Sequence, residues 1–137
     1  MIILDANVIG AFLDDEHRYH VQASELMRSL ASEYLALPAI TWAEILVGAL
    51  KADQVNQVED VVKRKLGIMI VSEESAEWPF TVAMCRFRTG LKMPDAVVLA
   101  TAEILDGKLV TFDEKLSNIA AKEGRLNRMP KARRRTK

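Results

Sequence analysis

The sequence predicts a three-layer α/β/α sandwich around a mainly parallel central sheet, and three observations lead to it. Four short apolar runs are bounded by polar or turn residues, the pattern of strands buried on both faces: Ile2-Ile3-Leu4, Tyr34-Leu35-Ala36-Leu37, Ile68-Met69-Ile70-Val71 and Lys108-Leu109-Val110-Thr111-Phe112. Segments of helical period separate these runs, and strands alternating with helices imply parallel pairing with right-handed crossovers. Pro94 to Ala102 is apolar almost all round, which marks a helix inside the domain.

Each element has its own local reason. Val8, Ile9, Phe12 and Leu13 form a short helical pattern that runs out at Asp14-Asp15-Glu16. Ala23, Leu26, Met27 and Leu30 make a single apolar stripe, with Glu25, Arg28 and Ser29 on the other side. Pro38 is expected to stop the second strand, because it lacks a backbone donor. Thr41-Trp42-Ala43-Glu44 opens a helix that continues through Leu50. Val55, Val58, Val62 and Leu66 stripe the next helix, whose far end is Lys63-Arg64-Lys65 and which Gly67 closes. Ser72-Glu73-Glu74-Ser75 is a polar turn into a helix reaching Thr89; Pro79 fits only its first turn, so the start falls nearer Trp78, with Gly90 as the C-cap. Asp106-Gly107 turns the chain into the last strand, and a final helix from about Glu114 to Lys122 stops at Gly124.

A chain of 137 residues, half of them apolar, suits one domain with a substantial core. No apolar run approaches the roughly 18 residues that span a bilayer, and Met1 leads into a strand without a basic leader, so a soluble cytoplasmic protein is expected. The single cysteine, Cys85, sits among apolar neighbours and reads as a small buried thiol. The formal charge of zero conceals an asymmetry. Residues 125–137 hold seven of the nineteen basic side chains and no acidic one, so residues 1–124 carry a net charge of minus seven. The expected organisation is one domain over 1–124 and a basic tail over 125–137. An acidic body is a poor general surface for nucleic acid, so a polyanionic partner must be met by the tail, by a local patch or through bound cations.

Function is sought where strands end, because ligands of open α/β sheets bind outside the carboxyl ends of their strands. Asp5 and Asp113 each follow a hydrophobic strand, while Glu44 and Asp95 stand near the starts of two helices. If the first and last strands are neighbours, the four carboxylates converge at one rim. Converging carboxylates repel, and a cation must compensate them or their pKa values rise. An all-oxygen set with no nearby histidine or cysteine suits Mg²⁺ or Mn²⁺ rather than zinc. Such ions activate water and stabilise charge on a phosphodiester under attack. Asn7 and Thr111, two residues from Asp5 and Asp113, are positioned to orient ligands or waters. Each acid also has a plain structural role open to it. Glu44 completes a Thr-x-x-Glu capping box, Asp95 favours a helix N-terminus, and Asp5 and Asp113 are potential N-caps.

The ordered fragments Asp5-Ala6-Asn7-Val8-Ile9, Thr41-Trp42-Ala43-Glu44-Ile45-Leu46-x-Gly48, Lys92-Met93-Pro94-Asp95 through Ala102, and Leu109-Val110-Thr111-Phe112-Asp113 resemble the PIN-domain nucleases. Among these they look most like the VapC-type toxins of toxin–antitoxin pairs, over the chain to about residue 123. The resemblance implies a Mg²⁺- or Mn²⁺-dependent endoribonuclease whose metal-site acids are Asp5, Glu44, Asp95 and Asp113. It also implies a homodimer silenced by a cognate antitoxin, whose C-terminal segment covers the site. Family members often carry Ser or Thr where this chain has Ala6, which leaves the acids intact but questions one hydroxyl contact.

Two other readings stay open on sequence. Asp5-Ala6-Asn7-Val8 is close to the Asp-x-Asp-x start of haloacid-dehalogenase-like phosphatases, in which the first aspartate is a nucleophile; Asn7 cannot supply the proton that the second provides. A catalytically silent module binding RNA or protein on the same fold is the non-enzyme reading. Arg86, Arg88 and Lys92 precede Asp95 and are the expected RNA-positioning cations. His17 and His20 read as a solvated pair. With few aromatics and no aromatic-basic platform visible along the chain, recognition is expected to rest on shape and backbone.

Overall fold

The computed structural model describes residues 1–72 and 75–130; Glu73, Glu74 and most of the expected basic tail, residues 131–137, lie outside the described residues. Ile2–Leu4 forms β1, Leu35–Pro38 β2, Met69–Val71 β3 and Lys108–Val110 β4. The sheet order is β3-β2-β1-β4, with every pairing parallel. β1 is therefore central, and β4 is its neighbour, with Leu4 opposite Val110. That adjacency decides the site, because the residues leaving these two strands emerge side by side.

The alternation of side chains along β1 divides the core into two. Ile2 and Leu4 join Leu35, Leu37 and Val110 under α1 (Ala6–Leu13), α2 (His20–Ser29), α3 (Ala39–Lys51) and α4 (Val55–Glu59). Ile3 joins Ala36 and Leu109 under α5 (Trp78–Thr89), α6 (Met93–Ile104) and α7 (Glu114–Lys122). These are the two faces of a three-layer sandwich. Every residue of α6 from Ala96 to Ala102 is buried, as its all-round apolar pattern requires. Cys85 is fully buried, and burial pushes its thiol up to about 11. Among the described residues no helix is long and apolar enough to cross a membrane.

Two boundaries depart from the sequence expectation and one agrees with it. The helix expected over 55–66 changes pitch: α4 passes into a π-helical segment at Asp60–Lys65, where Leu66 N–H donates to the Val61 carbonyl five residues back. Its basic end is exposed, and Arg64 and Lys65 pair with Asp60. β2 ends at Pro38 as expected; this residue lies opposite Val71 and leads directly into α3. Residues 125–127, expected to belong to the tail, pair with β4 instead. Leu109 N–H donates to the Arg125 carbonyl (2.7 Å), and Asn127 N–H donates to the Leu109 carbonyl (2.9 Å). Arg125 also binds Asp106 and the Gly107 carbonyl. Residues 125–127 thereby cover the open edge of β4, as sheet edges commonly require. Gly107 is needed where β4 begins, because a Cβ there would lie 2.6 Å from the Met1 carbonyl oxygen.

Candidate active site

Asp5 follows β1 and is 7% exposed. Its N–H donates to the Val110 carbonyl (3.2 Å), which ties it to β4. Its Oδ1 accepts from Ala6 N–H (2.8 Å), and its Oδ2 accepts the Thr111 hydroxyl (2.6 Å). Burial pushes the Asp5 carboxyl above the ordinary aspartate range. The Thr111 and Ala6 hydrogen bonds work against that rise, while the Glu44 and Asp113 carboxylates add to it.

The other acids arrive from three separate segments. Asp113 is the N-cap of α7 and accepts from Leu116 N–H (2.8 Å). Asp95 lies in the first turn of α6 and makes no capping hydrogen bond there. Its carboxyl is pushed up to about 6, first by burial, then by Asp5 and Asp113, and is lowered in part by Lys92 and Lys115. The Glu44 carboxyl on α3 is pushed up by partial desolvation and by Asp95, although the side chain as a whole is exposed. The four acids therefore share one rim of the sheet and feel one another's charge. Among the described residues no three acidic, histidine or cysteine side chains close into a single metal-holding cluster. Asp5 and Asp113 are held by local hydrogen bonds, to Ala6 N–H and Thr111 and to Leu116 N–H respectively.

The plain structural readings separate here. Asp5 and Asp113 do cap helices, so for them capping and convergence coexist. Glu44 does not. The N-cap of α3 is Pro38, Thr41 lies inside the helix with its hydroxyl buried and unpartnered, and no capping box forms. Pro38 moves the helix start three residues earlier than the Thr-x-x-Glu pattern suggests, leaving Glu44 exposed in the second turn.

Thr111 links the strand ends. Its hydroxyl donates to Asp5 and accepts from Asp113 N–H (3.0 Å) and from the Asn7 side-chain amide (3.3 Å). Asn7 Oδ1 in turn accepts from Phe112 N–H (3.1 Å). Both ends of the Asn7 amide are thereby engaged, and an amide has no acidic proton to give in the phosphatase reading.

The expected cations divide. Arg88 is taken by Glu123 at the end of α7 (2.7 Å) and by Glu103 of α6 (3.8 Å), and Arg86 donates to the Leu91 carbonyl between α5 and α6 (3.1 Å), so both are engaged in holding helices together. Lys92 lies close enough to Asp95 to lower its pKa, as does Lys115, which also donates to the Gly90 carbonyl (3.1 Å). Lys115 stands twenty residues beyond Asp95 in sequence, so no local pattern signals it. Both ring nitrogens of His20 are engaged, by the Ala11 carbonyl and Ser24, and His17 accepts from Tyr19 N–H. Beside the rim, α1, α3 and α4 enclose a cleft of about 600 Å³, with Ala6 and Glu44 on its wall and Ile45, Ala49 and Val58 lining it.

The model of the PIN domain family matches residues 2–122. No curated protein matches the chain significantly. A toxin–antitoxin complex from Klebsiella pneumoniae is similar at 26% identity and TM-score 0.68, over 87% of this chain and 92% of that one. VapBC2 from Rickettsia felis, solved with a DNA fragment from its promoter, gives 20% identity and TM-score 0.67, over 87% and 93% of the chains. VapC20 from Mycobacterium tuberculosis, a toxin that cleaves the sarcin–ricin loop, gives 11% identity and TM-score 0.70, over 95% and 100%. At 20% and 11% identity the last two establish a common fold alone. With the family match spanning nearly the whole of the described domain, and four acids from separate segments sharing one rim, the chain belongs to the PIN domain family.

Proposed function

We propose that this chain is a metal-dependent endoribonuclease acting in the cytoplasm as the toxin of a toxin–antitoxin pair. The observation that carries the reading is the shared rim: the carboxyls of Asp5, Glu44 and Asp95 are each pushed up, by burial first and then by neighbouring acids that include Asp113, and among the described residues two lysines compensate Asp95 in part. Four carboxylates offering oxygen alone fit a hard divalent ion such as Mg²⁺ or Mn²⁺. When bound, that ion supplies an activated water and offsets charge developing on the scissile phosphodiester. The chain's residues do the placing. Thr111 holds the Asp5 carboxylate in one orientation, Asn7 holds Thr111 and the Phe112 backbone, and Lys92 and Lys115 offer positive charge to a phosphate approaching Asp95. Cleavage of a structured RNA is expected with Mg²⁺ or Mn²⁺ and not in excess EDTA; undiminished cleavage in EDTA would remove the metal from the reading.

The partners follow from two surfaces. The cleft beside Glu44 combines apolar walls from Leu13, Ile45 and Val58 with the carboxylates of Asp14, Asp15 and Glu44, a suitable seat for an antitoxin segment that carries both apolar and basic side chains. On the opposite layer, α5 exposes Phe80, Met84 and Phe87 at spacings of four and three residues, a stripe too apolar for water. Met93 and Ile40 are also exposed, and both line an apolar pocket with Trp78 on α5. This face supports a symmetric dimer of the chain. Sedimentation should give twice the chain mass for the native protein and a monomer for Phe87→Glu; a native monomer at high concentration would discard the dimer.

A further inference from the structure

Beside the acidic rim, residues far apart in sequence assemble an aromatic array. Tyr19, in the loop between α1 and α2, sets its ring 5.4 Å from that of Phe112, tilted by 30°. The Arg18 guanidinium carbon lies 4.8 Å from the Tyr19 ring centre, and the His17 ring lies 5.9 Å from it. The array is held in place: His20 binds the Ala11 carbonyl, Tyr19 N–H binds His17, and Phe112 N–H binds Asn7. Phe112 stands between Thr111 and Asp113, so its backbone runs along the rim that carries the proposed catalytic acids, while one side of its ring packs against the core.

We infer that Tyr19 and Phe112, with Arg18, form a stacking platform that holds an unpaired RNA base beside the scissile phosphate, an inference that rests on the ribonuclease reading. An aromatic pair serving the core alone is normally buried, yet Tyr19 and Phe112 are only half-buried and His17 and Arg18 are exposed. The same loop carries Asp14, Asp15 and Glu16, all exposed. Their charge repels the phosphate backbone, leaving the uncharged face of a base as the part of RNA this surface attracts. Stacking requires that face to be free, so the nucleotide must come from a loop, bulge or single strand. Every base presents such a face, and the platform is therefore tolerant of sequence.

The test uses the full chain carrying Asp95→Asn to stop cleavage, in Mg²⁺, with a ten-nucleotide single-stranded oligoribonucleotide bearing 2-aminopurine. Binding should quench the fluorophore. Tyr19→Leu should remove the quench and weaken Kd by about tenfold, as for loss of one base–aromatic stack, while Tyr19→Phe keeps both. If Tyr19→Leu melts early, Arg18→Ala, at an exposed position, should still weaken Kd severalfold. Equal quench and Kd in Tyr19→Leu and its parent would overturn the platform and leave the rings as packing or as a contact for a protein partner. An active enzyme with that result retains the ribonuclease reading; a chain that neither binds nor cuts RNA loses both.

Discussion

Asp95→Asn is expected to abolish RNA cleavage while the domain stays folded. The amide keeps the shape of the side chain and removes the charge that a divalent ion would need, so a loss of roughly 10² to 10³ in rate is expected, the size seen when one electrostatic contact to a transition state is removed. The same substitution changes stability in a direction the structure specifies. Burial and the neighbouring Asp5 and Asp113 raise the Asp95 carboxyl to about 6 from 3.8, so between these values the folded chain binds its proton more tightly than the unfolded chain. This contribution is fully present at acidic pH and is lost as pH rises through about 6. With the side chain partly exposed and two lysines nearby, the effect is on the order of 1 kcal/mol after solvent screening. Thermal melts in EDTA should therefore show the native protein losing stability between pH 4.5 and 7.5, with a shallower slope in Asp95→Asn. Mg²⁺ should raise the native melting temperature most at the upper end of that range. Cleavage by Asp95→Asn within a factor of three of native would sink the assignment of this acid.

Thr111→Val should damage both stability and activity, although valine has nearly the same shape. Thr111 is 4% exposed, and its hydroxyl serves Asp5, Asn7 and the Asp113 N–H together. Valine leaves a buried carboxylate oxygen without its donor and a backbone N–H without its acceptor, a loss of about 1–3 kcal/mol. For a domain of this size that lowers the melting temperature by roughly 3–10 °C. Cleavage should fall by about tenfold or more, because a group that orients a metal-site carboxylate is removed. The Thr111 hydrogen bond lowers the Asp5 pKa, so the acid limb of the pH–rate profile should move to higher pH in the variant. Thr111→Ser should restore the profile. A Thr111→Val enzyme with native rate and pH profile would reduce the hydroxyl to packing.

Much of the architecture was legible in the chain. Continuous apolar runs marked all four strands, and the all-round apolar stretch after Pro94 marked the buried helix, because burial on two faces leaves no room for polar residues. Gly90 was recognisable as a C-cap, and it adopts the left-handed conformation at φ 70°. Capping was read less well. Thr-x-x-Glu has the composition of a capping box, but the restricted backbone of Pro38 starts α3 earlier, and this conformational effect outweighs the side-chain pattern. The change of pitch after Glu59 was hidden as well, since Val58 and Val62 fit an ordinary helical stripe. The aromatic platform was invisible because Tyr19 and Phe112 are separated by most of the chain.

The sequence by itself determined the element types, the layered fold class and the placement of acids just beyond the strands, since these depend on local periodicity and on which residues tolerate burial. Only the tertiary structure decided that β4 lies against β1, that Thr111 binds Asp5, that Arg88 is committed to Glu123 while the charges of Lys92 and Lys115 lower the Asp95 pKa, and that a tyrosine meets a phenylalanine beside the strand end. Periodicity records which face of an element is covered; it does not record which element covers it, and partner choice among charges and rings follows from that packing.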